Sequence, residues 1–151
     1  MDVLTAEQRS KNMAAIRSKN SKPEIVVRKL LHRLGFRFRL HRRDLPGCPD
    51  LVLPKYKTVI FVNGCFWHQH ANCKHSHIPQ TRVDYWSAKL NATVERDQRN
   101  IKDLARLGWR TIVVWECQLK HMEEIATQLK AIPEIHSVSR HQQGLVLAGH
   151  V

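Results

Sequence analysis

Cysteine and histidine residues are concentrated between residues 64 and 79, where apolar periodicity disappears and Cys, His, Asn, Phe and Trp take over. Such a segment needs a cause for its order other than regular packing. Three of its residues form with a later cysteine a Cys3His set of the kind that holds structural Zn2+. The alternative is a group of free thiols with solvated histidines, and His75 and His77 are rival ligands. The expected zinc set is Cys65, His70, Cys73 and Cys117.

Asp50 and Glu24 are candidate carboxylates for a second metal site. Asp50 follows the turn LPGCP and begins the apolar segment DLVL, where a carboxylate has no packing role and projects to the sheet edge. That position suits a divalent cation, although an Asx-type turn after Pro49 is the simpler interpretation of this residue alone. Glu24 lies in the first turn of a predicted helix, where a favourable interaction with the helix N-terminus explains an acid equally well.

His68 is a candidate general base. A zinc site already filled by four ligands does not need it, so its imidazole is free to act near neutral pH. Asp97 falls on the apolar stripe of a predicted helix, where an acid requires a partner. That partner is either His68, whose tautomer it would hold, or one of the arginines Arg96 and Arg99.

Three aromatic residues are candidates for contacts with nucleic acid bases. Phe66 and Trp67 stand in the polar segment, where large rings beside basic residues favour wedging between bases. Trp86 lies on an apolar helix stripe, for which core packing is the commoner outcome.

The first half of the chain is predicted to supply a helix and three strands. Ser21 with Pro23 begins a helix that Gly35 ends, and the alternating segment 36–40 resembles a half-exposed strand. Short apolar strands follow in DLVL from Asp50 and in TVIFV.

The second half is predicted to form a βαβ unit. A long helix capped by Thr81 and Asp84 ends at Gly108, and RTIVVW follows it as a buried strand. Since its strand would run parallel to TVIFV, Cys65 and Cys117 would emerge at one sheet edge, which favours a shared metal. A final helix carries Met122, and the tail from Pro133 is weakly patterned. The buried stripe expected for the long helix is Val83, Trp86, Leu90, Val94, Ile101, Leu104 and Leu107.

The charge of the chain indicates a polyanionic partner. Its 151 residues include 25 Lys and Arg against 13 Asp and Glu, with the basic excess early in the chain. Nucleic acid fits this balance, as do ribosomal and membrane-surface roles. Neither a membrane span nor a signal-like N-terminus is present in the sequence, so we expect a soluble cytoplasmic protein of one domain.

Five ordered motifs resemble the Vsr family of very short patch repair endonucleases. They are RSKNM at residues 9–13, LPGCPD ending at Asp50, VNGCFWH ending at His68, VERD ending at Asp97 and WEC ending at Cys117. Order and spacing match over most of residues 5–120. The resemblance implies an α/β, restriction-endonuclease-like fold, with a central mixed sheet flanked by helices and a structural zinc. It also implies a mismatch-specific endonuclease that nicks one strand 5′ of the thymine in a T:G mismatch.

The resemblance also implies catalytic roles that agree with the residue types. Asp50 and the main-chain carbonyl of Val62 would hold Mg2+, and Glu24 would contribute through the outer shell. His68 would activate water with support from Asp97, giving a 5′-phosphate product.

Other positions imply DNA contacts and two departures from the family. Phe66, Trp67, Trp86 and Met13 map to residues that intercalate, with Met13 on an N-terminal helix. The stretch between His70 and Cys73 is one residue longer than in the best-known member. Asn63 replaces a frequent histidine and cannot exchange a proton, so either His68 suffices or activity is reduced.

The expected organisation is one endonuclease domain spanning residues 1–151. Residues 1–20 would be a mobile helix that clamps DNA, and residues 133–151 a tail of unclear role. Expected partners are duplex DNA with a T:G mismatch, other mismatch-repair proteins and a repair polymerase, with a monomeric, nucleoid-associated enzyme. Alternatives are a nuclease of the same fold acting on another DNA substrate, or a non-catalytic zinc-containing DNA-binding module.

Overall fold

The computed structural model describes Thr5 and residues 20–148, with side chains described as far as Arg140. Met13 and nearly all of the predicted N-terminal helix of residues 1–20 therefore lie outside the described residues.

Four strands form one mixed sheet in the order of the chain. β1 and β2 pair antiparallel, as do β2 and β3, whereas β3 and β4 pair parallel. This confirms the predicted parallel strand pair and the mixed sheet. The strands are β1 (Arg39–Leu40), β2 (Leu51–Leu53), β3 (Thr58–Asn63) and β4 (Arg110–Trp115).

Four helices accompany the sheet, and short 3-10 turns at Pro54–Tyr56, Lys74–Ser76 and Glu116–Lys120 complete the regular structure of the described part. None of the helices described is both long enough and apolar enough to cross a membrane. The helices are α1 (Lys22–Arg33), α2 (Val83–Arg106), α3 (Met122–Lys130) and α4 (Ile132–Ala148).

Apolar side chains cover both faces of the sheet, because successive residues of a strand point to opposite faces. Leu51 and Ile60 are paired across β2 and β3 and pack with α1 and α3 in one buried cluster. Val52 and Val59, the next pair, pack with Leu104 of α2 in the other cluster. The alternating direction of these apolar side chains therefore places α2 on one face of the sheet and α1 with α3 on the other.

Helix α1 begins as the sequence predicts. The Ser21 hydroxyl accepts a hydrogen bond from the Glu24 amide at 3.4 Å, and Pro23 lies in the first turn. Gly35, with φ of +86°, turns the chain away after the helix. Val27 and Leu31 are fully buried, and each such burial stabilises the fold by about 1.5–3 kcal/mol.

Three local predictions were wrong or incomplete. The segment 36–40 forms a strand only at Arg39–Leu40, the two residues that find partners on β2. Helix α2 is not capped by Thr81 or Asp84. Its N-cap is Arg82, which has φ of +53° and makes no side-chain capping hydrogen bond.

The predicted buried stripe of α2 was also too long. Leu90 and Leu104 are buried, but Val83, Ile101 and Leu107 are exposed. The weakly patterned tail continues as α4, and its first residue Ile132 is fully buried in the core.

Candidate functional site

A groove of about 900 Å³ is lined by three of the four predicted catalytic residues, Asp50, His68 and Asp97, whereas Glu24 is buried behind it. Asp50 enters it from the start of β2, Asn63 from the end of β3, His68 from the following loop and Asp97 from α2. Sequence reasoning missed several polar residues that line the same groove, since their contributions depend on tertiary placement. These are His41, Lys89, Asn100 and Glu116, while Arg96 had been considered only as a partner for Asp97.

A tight turn positions Asp50 at the groove. Gly47 has φ of +76°, and a Cβ there would approach the Asn100 amide nitrogen of α2 to 2.8 Å. Only glycine fits this approach, so the turn LPGCP packs closely against α2.

The Asp50 carboxylate bridges two strands and does not close an Asx-type turn. Its Oδ2 accepts a hydrogen bond from the Val62 amide at 2.7 Å. Pairing of β2 with β3 is recorded only as far as Leu51 and Ile60, and this side chain satisfies the β3 backbone beyond that point. The Val62 main chain thus lies beside the Asp50 carboxylate.

Burial raises the pKa of Asp50 to about 6. The Val62 hydrogen bond opposes the rise, the charge of Glu24 adds to it, and His41 and His68 oppose it. A carboxylate that is costly to ionise beside a second acid gains most from a bound cation.

Glu24 is that second acid, and it is only 1% exposed. Its Oε1 accepts hydrogen bonds from Arg28 at 2.7 Å and from His41, and its Oε2 accepts one from the Asn20 amide at 2.8 Å. Ser21 caps the helix, so capping is not the main role of this carboxylate. Ligand atoms of Glu24, His41 and Asp50 lie within 4.8 Å of one another and could hold a metal ion.

His68 and Asp97 are brought together from the loop and the middle of α2. His68 Nδ1 donates a hydrogen bond to Asp97 Oδ2 at 2.6 Å, since an ionised carboxylate can only accept. Among the described contacts, Asp97 pairs with this imidazole and with neither Arg96 nor Arg99. Its side chain is 28% exposed, so it faces the groove and not the core.

The four predicted zinc ligands form one cluster whose ligand atoms lie within 4.8 Å of one another. His70 Nδ1 is 3.3 Å from Cys117 Sγ and 3.8 Å from Cys65 Sγ. The His70 ring is stacked on Trp115 at 4.2 Å, which fixes its orientation. Cys65 and Cys117 leave the parallel strands β3 and β4 at the same sheet edge, as the sequence predicts.

The donor set of this cluster fits Zn2+. Three sulfurs and one imidazole nitrogen at these separations match a closed tetrahedral site. His75 and His77 are exposed and stand outside the cluster, which leaves His70 as its histidine. Burial raises the pKa of the Cys65 thiol to about 12, and a backbone hydrogen bond from His75 lowers that of Cys73.

Phe66, Trp67 and Trp86 pack on one another at the rim of the groove. Their ring centroids are 5.1 to 5.9 Å apart, and none of the three is buried. Trp86 therefore does not pack in the core. Tyr85, which sequence reasoning missed, adds an edge contact to Trp86, and Lys89 Nζ lies within 6 Å of the Trp67, Tyr85 and Trp86 rings.

Comparison with known proteins identifies the family. The family model for DNA mismatch endonuclease Vsr matches residues 1–75. The type II nicking enzyme V.XorIIP of Xanthomonas oryzae pv. oryzae is 50% identical over 131 residues, 87% of this chain and 96% of that protein. The chain belongs to the Vsr family. DNA mismatch endonuclease Vsr of Escherichia coli is 42% identical over 127 residues, covering 84% of this chain and 81% of that Vsr protein.

A solved structure supports the fold. The catalytic domain of homing endonuclease I-Bth0305I superposes with a TM-score of 0.53 at 20% identity. It covers 78% of this Vsr-family chain and 98% of its own. The endonuclease-like fold predicted from the sequence is thereby supported, with its mixed sheet and flanking helices.

Proposed function

We propose that this protein is a Mg2+-dependent DNA endonuclease that nicks one strand 5′ of the thymine in a T:G mismatch and so starts very short patch repair. The observation that carries the proposal is the convergence in one groove of a half-buried acid, Asp50, and an imidazole oriented by a carboxylate, His68. A non-catalytic DNA-binding module has no use for this pair.

Asp50 and the main-chain carbonyl of Val62 are the proposed ligands of the catalytic cation. A Mg2+ ion held there supplies Lewis-acid stabilisation of charge on the scissile phosphate and on the leaving 3′ oxygen. Glu24 acts through the outer shell, which agrees with its oxygens already accepting three hydrogen bonds from the protein.

His68 is the proposed general base. Because its Nδ1 carries the proton donated to Asp97, its Nε2 keeps a lone pair for the proton of an attacking water. Asp97 fixes this tautomer and the ring orientation, and it stabilises the imidazolium once formed. In-line attack then leaves a 5′ phosphate and a 3′ hydroxyl.

The protein is proposed to distinguish mismatched from matched base pairs before it cleaves the strand. Phe66, Trp67 and Trp86 offer stacking faces at the rim, and a mismatched pair costs less to unstack than a matched one. Lys89 and Arg96 supply positive charge for the phosphate backbone along the same groove. Intercalation by Met13 and clamping by residues 1–20 remain predictions for the part not described.

Zinc is proposed to have a structural role only. Cys65, His70, Cys73 and Cys117 would hold it and thereby order the loop that carries Phe66, Trp67 and His68. The protein is further proposed to be a cytoplasmic monomer with a single catalytic domain. Its DNA product would pass to other mismatch-repair proteins and a repair polymerase.

Asn63 favours a second candidate, a nuclease of the same fold acting on a different DNA substrate. This residue is 7% exposed and stands at the end of β3, at the position where the motif resemblance implies a histidine. It lines the groove but cannot transfer a proton near neutral pH.

Strand-specific cleavage tests both candidates. End-labelled duplexes carrying T:G, T:A or C:G in several flanking sequences are incubated with Mg2+ or EDTA, using wild type and Asp50→Asn. Asp44→Asn is the matched control, since Asp44 is 63% exposed and pairs with Arg42 on the surface. We expect a Mg2+-dependent nick on the T strand of the mismatch alone, and its loss in Asp50→Asn only.

Other outcomes separate the alternatives. Cleavage of matched duplexes at a similar rate would replace mismatch specificity with the second candidate. Tight DNA binding without any nick would contradict both and leave the non-catalytic module.

A further inference from the structure

His41 links the main chain of Asp50 to the carboxylate of Glu24, although nothing in its sequence spacing marks it. Its backbone amide donates a hydrogen bond to the Asp50 carbonyl at 3.2 Å. Its ring Nε2 contacts Glu24 Oε1, and both side chains are largely buried. One residue therefore connects the helix α1 that carries Glu24 to the strand β2 that follows Asp50.

The backbone of His41 adopts a conformation that L residues rarely use. Its φ of +46° lies in the left-handed region, which costs free energy for a residue with a side chain. Such conformations persist where the surroundings over-determine them, and they cluster at binding and catalytic sites. In this conformation the His41 main chain bonds the Asp50 carbonyl while its ring contacts Glu24.

The charges explain why a donor is useful at this point. Glu24 and Asp50 have ligand atoms within 4.8 Å, and the charge of Glu24 raises the pKa of Asp50. Arg28 also binds Glu24 Oε1, but it belongs to the same helix as Glu24 and cannot tie that helix to β2. Among the described contacts of the Glu24 carboxylate, the one from His41 reaches the Asp50 segment.

We propose that His41 is a positioning residue of the divalent-cation site, which holds the Glu24 carboxylate against Asp50 and thereby sets the affinity for Mg2+. The inference rests on the proposed function in that it takes Asp50 as the cation ligand. His41 is distinct from the groups with proposed roles in the nicking reaction, which are Asp50, Glu24, His68, Asp97 and the Val62 main chain. Partners of this type that orient a ligand shell contribute about 10- to 100-fold to metal affinity.

Two substitutions separate the side-chain contact from the backbone conformation. His41→Asn suits the left-handed backbone but is too short for its amide to reach Glu24. His41→Gln places an amide donor near the position of Nε2 but has no preference for that backbone. If positioning of Glu24 matters, the Asn variant is impaired and the Gln variant is rescued; if only the backbone matters, the order reverses.

Cation affinity is measured first without DNA. Mn2+ is titrated into zinc-loaded protein and its free-ion spin-resonance signal is followed, with Asp50→Ala as the blank for binding elsewhere. We expect His41→Asn to bind about tenfold more weakly than wild type and His41→Gln to stay closer to wild type. Thermal unfolding of each variant shows whether the fold is retained.

Nicking then gives a second readout. The Mg2+ concentration for half-maximal rate should rise in His41→Asn by a similar factor, more than the rate at saturating Mg2+ falls. Wild-type Mn2+ affinity in His41→Asn, or equal weakening in both variants, would overturn the inference. Absence of nicking by wild type would refute the proposed function alone, because the Mn2+ titration still decides the role of His41.

Discussion

The Cys/His cluster and the carboxylate groove lie side by side but differ in donors and access. The cluster gathers three sulfurs and a nitrogen, with Cys65 only 2% exposed and His70 stacked on Trp115. The groove has a volume of about 900 Å³ and is lined by Asp50, and the buried Glu24 offers a second carboxylate within 4.8 Å of the Asp50 ligand atom. Soft donors in a closed set suit a metal that stays in place, whereas oxygen donors beside an open space suit a cation that meets substrate.

One short loop serves both regions. Cys65 and His70 belong to the cluster, and His68 between them reaches Asp97 across the groove. Backbone hydrogen bonds from His68 to Gly64 at 3.1 Å and from His70 to Cys65 at 2.9 Å fold the loop into tight turns. His68, the proposed general base, is two residues from His70 and three from Cys65. A metal that fixes these two ligands would therefore also fix the position of His68.

The largest expected effect comes from opening the cluster. In Cys117→Ser the metal would lose the thiolate from the turn that follows β4, and the loop would lose its link to that edge of the sheet. We expect less than one zinc per chain, a thermal midpoint lower by about 10 °C, and nicking reduced about a thousandfold as His68 loses its place. Metal analysis, calorimetry and the cleavage assay measure these changes.

Cys48→Ser is the matched control for that change. Of the four cysteines, Cys48 is the one that does not belong to the cluster, and it lies in the turn before Asp50. Its zinc content and thermal midpoint should stay at wild-type values. If Cys117→Ser kept full zinc and wild-type stability, the cluster would not be what orders the loop, and the proposed dependence of the groove on it would fail.

A smaller effect is expected within the groove itself. Asp97→Asn removes the carboxylate that fixes the His68 tautomer, so we expect the maximal nicking rate to fall about a hundredfold. Zinc content and Mg2+ dependence should not change, because Asp97 contacts neither metal site. Asp103→Asn on the same helix is the control, since Asp103 pairs with Arg106 at the surface. Zinc loss in Asp97→Asn would mean that the Cys/His cluster depends on the His68 and Asp97 pair, so that the two regions are not independent.

The sequence predicted best the features that depend on local pattern and strand direction. Ser21 with Pro23 located α1, and two apolar strands around a helix placed Cys65 and Cys117 at one edge. An acid in the middle of a helix stripe also led to the His68 and Asp97 pair, although an arginine partner fitted the sequence equally well. Tertiary structure was needed to decide between them.

Features that depend on unusual backbone conformations or on packing between distant elements could not be predicted from the sequence. Arg82 and His41 adopt positive φ without being glycine, so no residue type marked the start of α2 or the contact with Glu24. Leu107 is 57% exposed at the C-cap of α2, although its spacing places it on the apolar stripe of that helix. Likewise α4 has little pattern of its own and forms where Ile132 enters the core built by other elements.

The smallest expected effect is a pH dependence confined to the groove. Because burial raises the pKa of Asp50 from 3.8 to about 6, a proton competes with the cation in a range where an exposed aspartate is already ionised. Cation binding needs the deprotonated carboxylate, so affinity is highest above the pKa and falls as pH drops through it. Between pH 7 and pH 5 the ionised fraction, and with it Mn2+ affinity, should fall about tenfold.

Binding is the better readout for this effect, since the nicking rate would also report protonation of His68. Zinc content is measured at each pH, so that loss of the cluster is not mistaken for loss at Asp50. Constant Mn2+ affinity down to pH 5 would mean that Asp50 ionises as an exposed aspartate does. The closed sulfur site and the carboxylate site would then differ in donor type and not in the desolvation of their ligands.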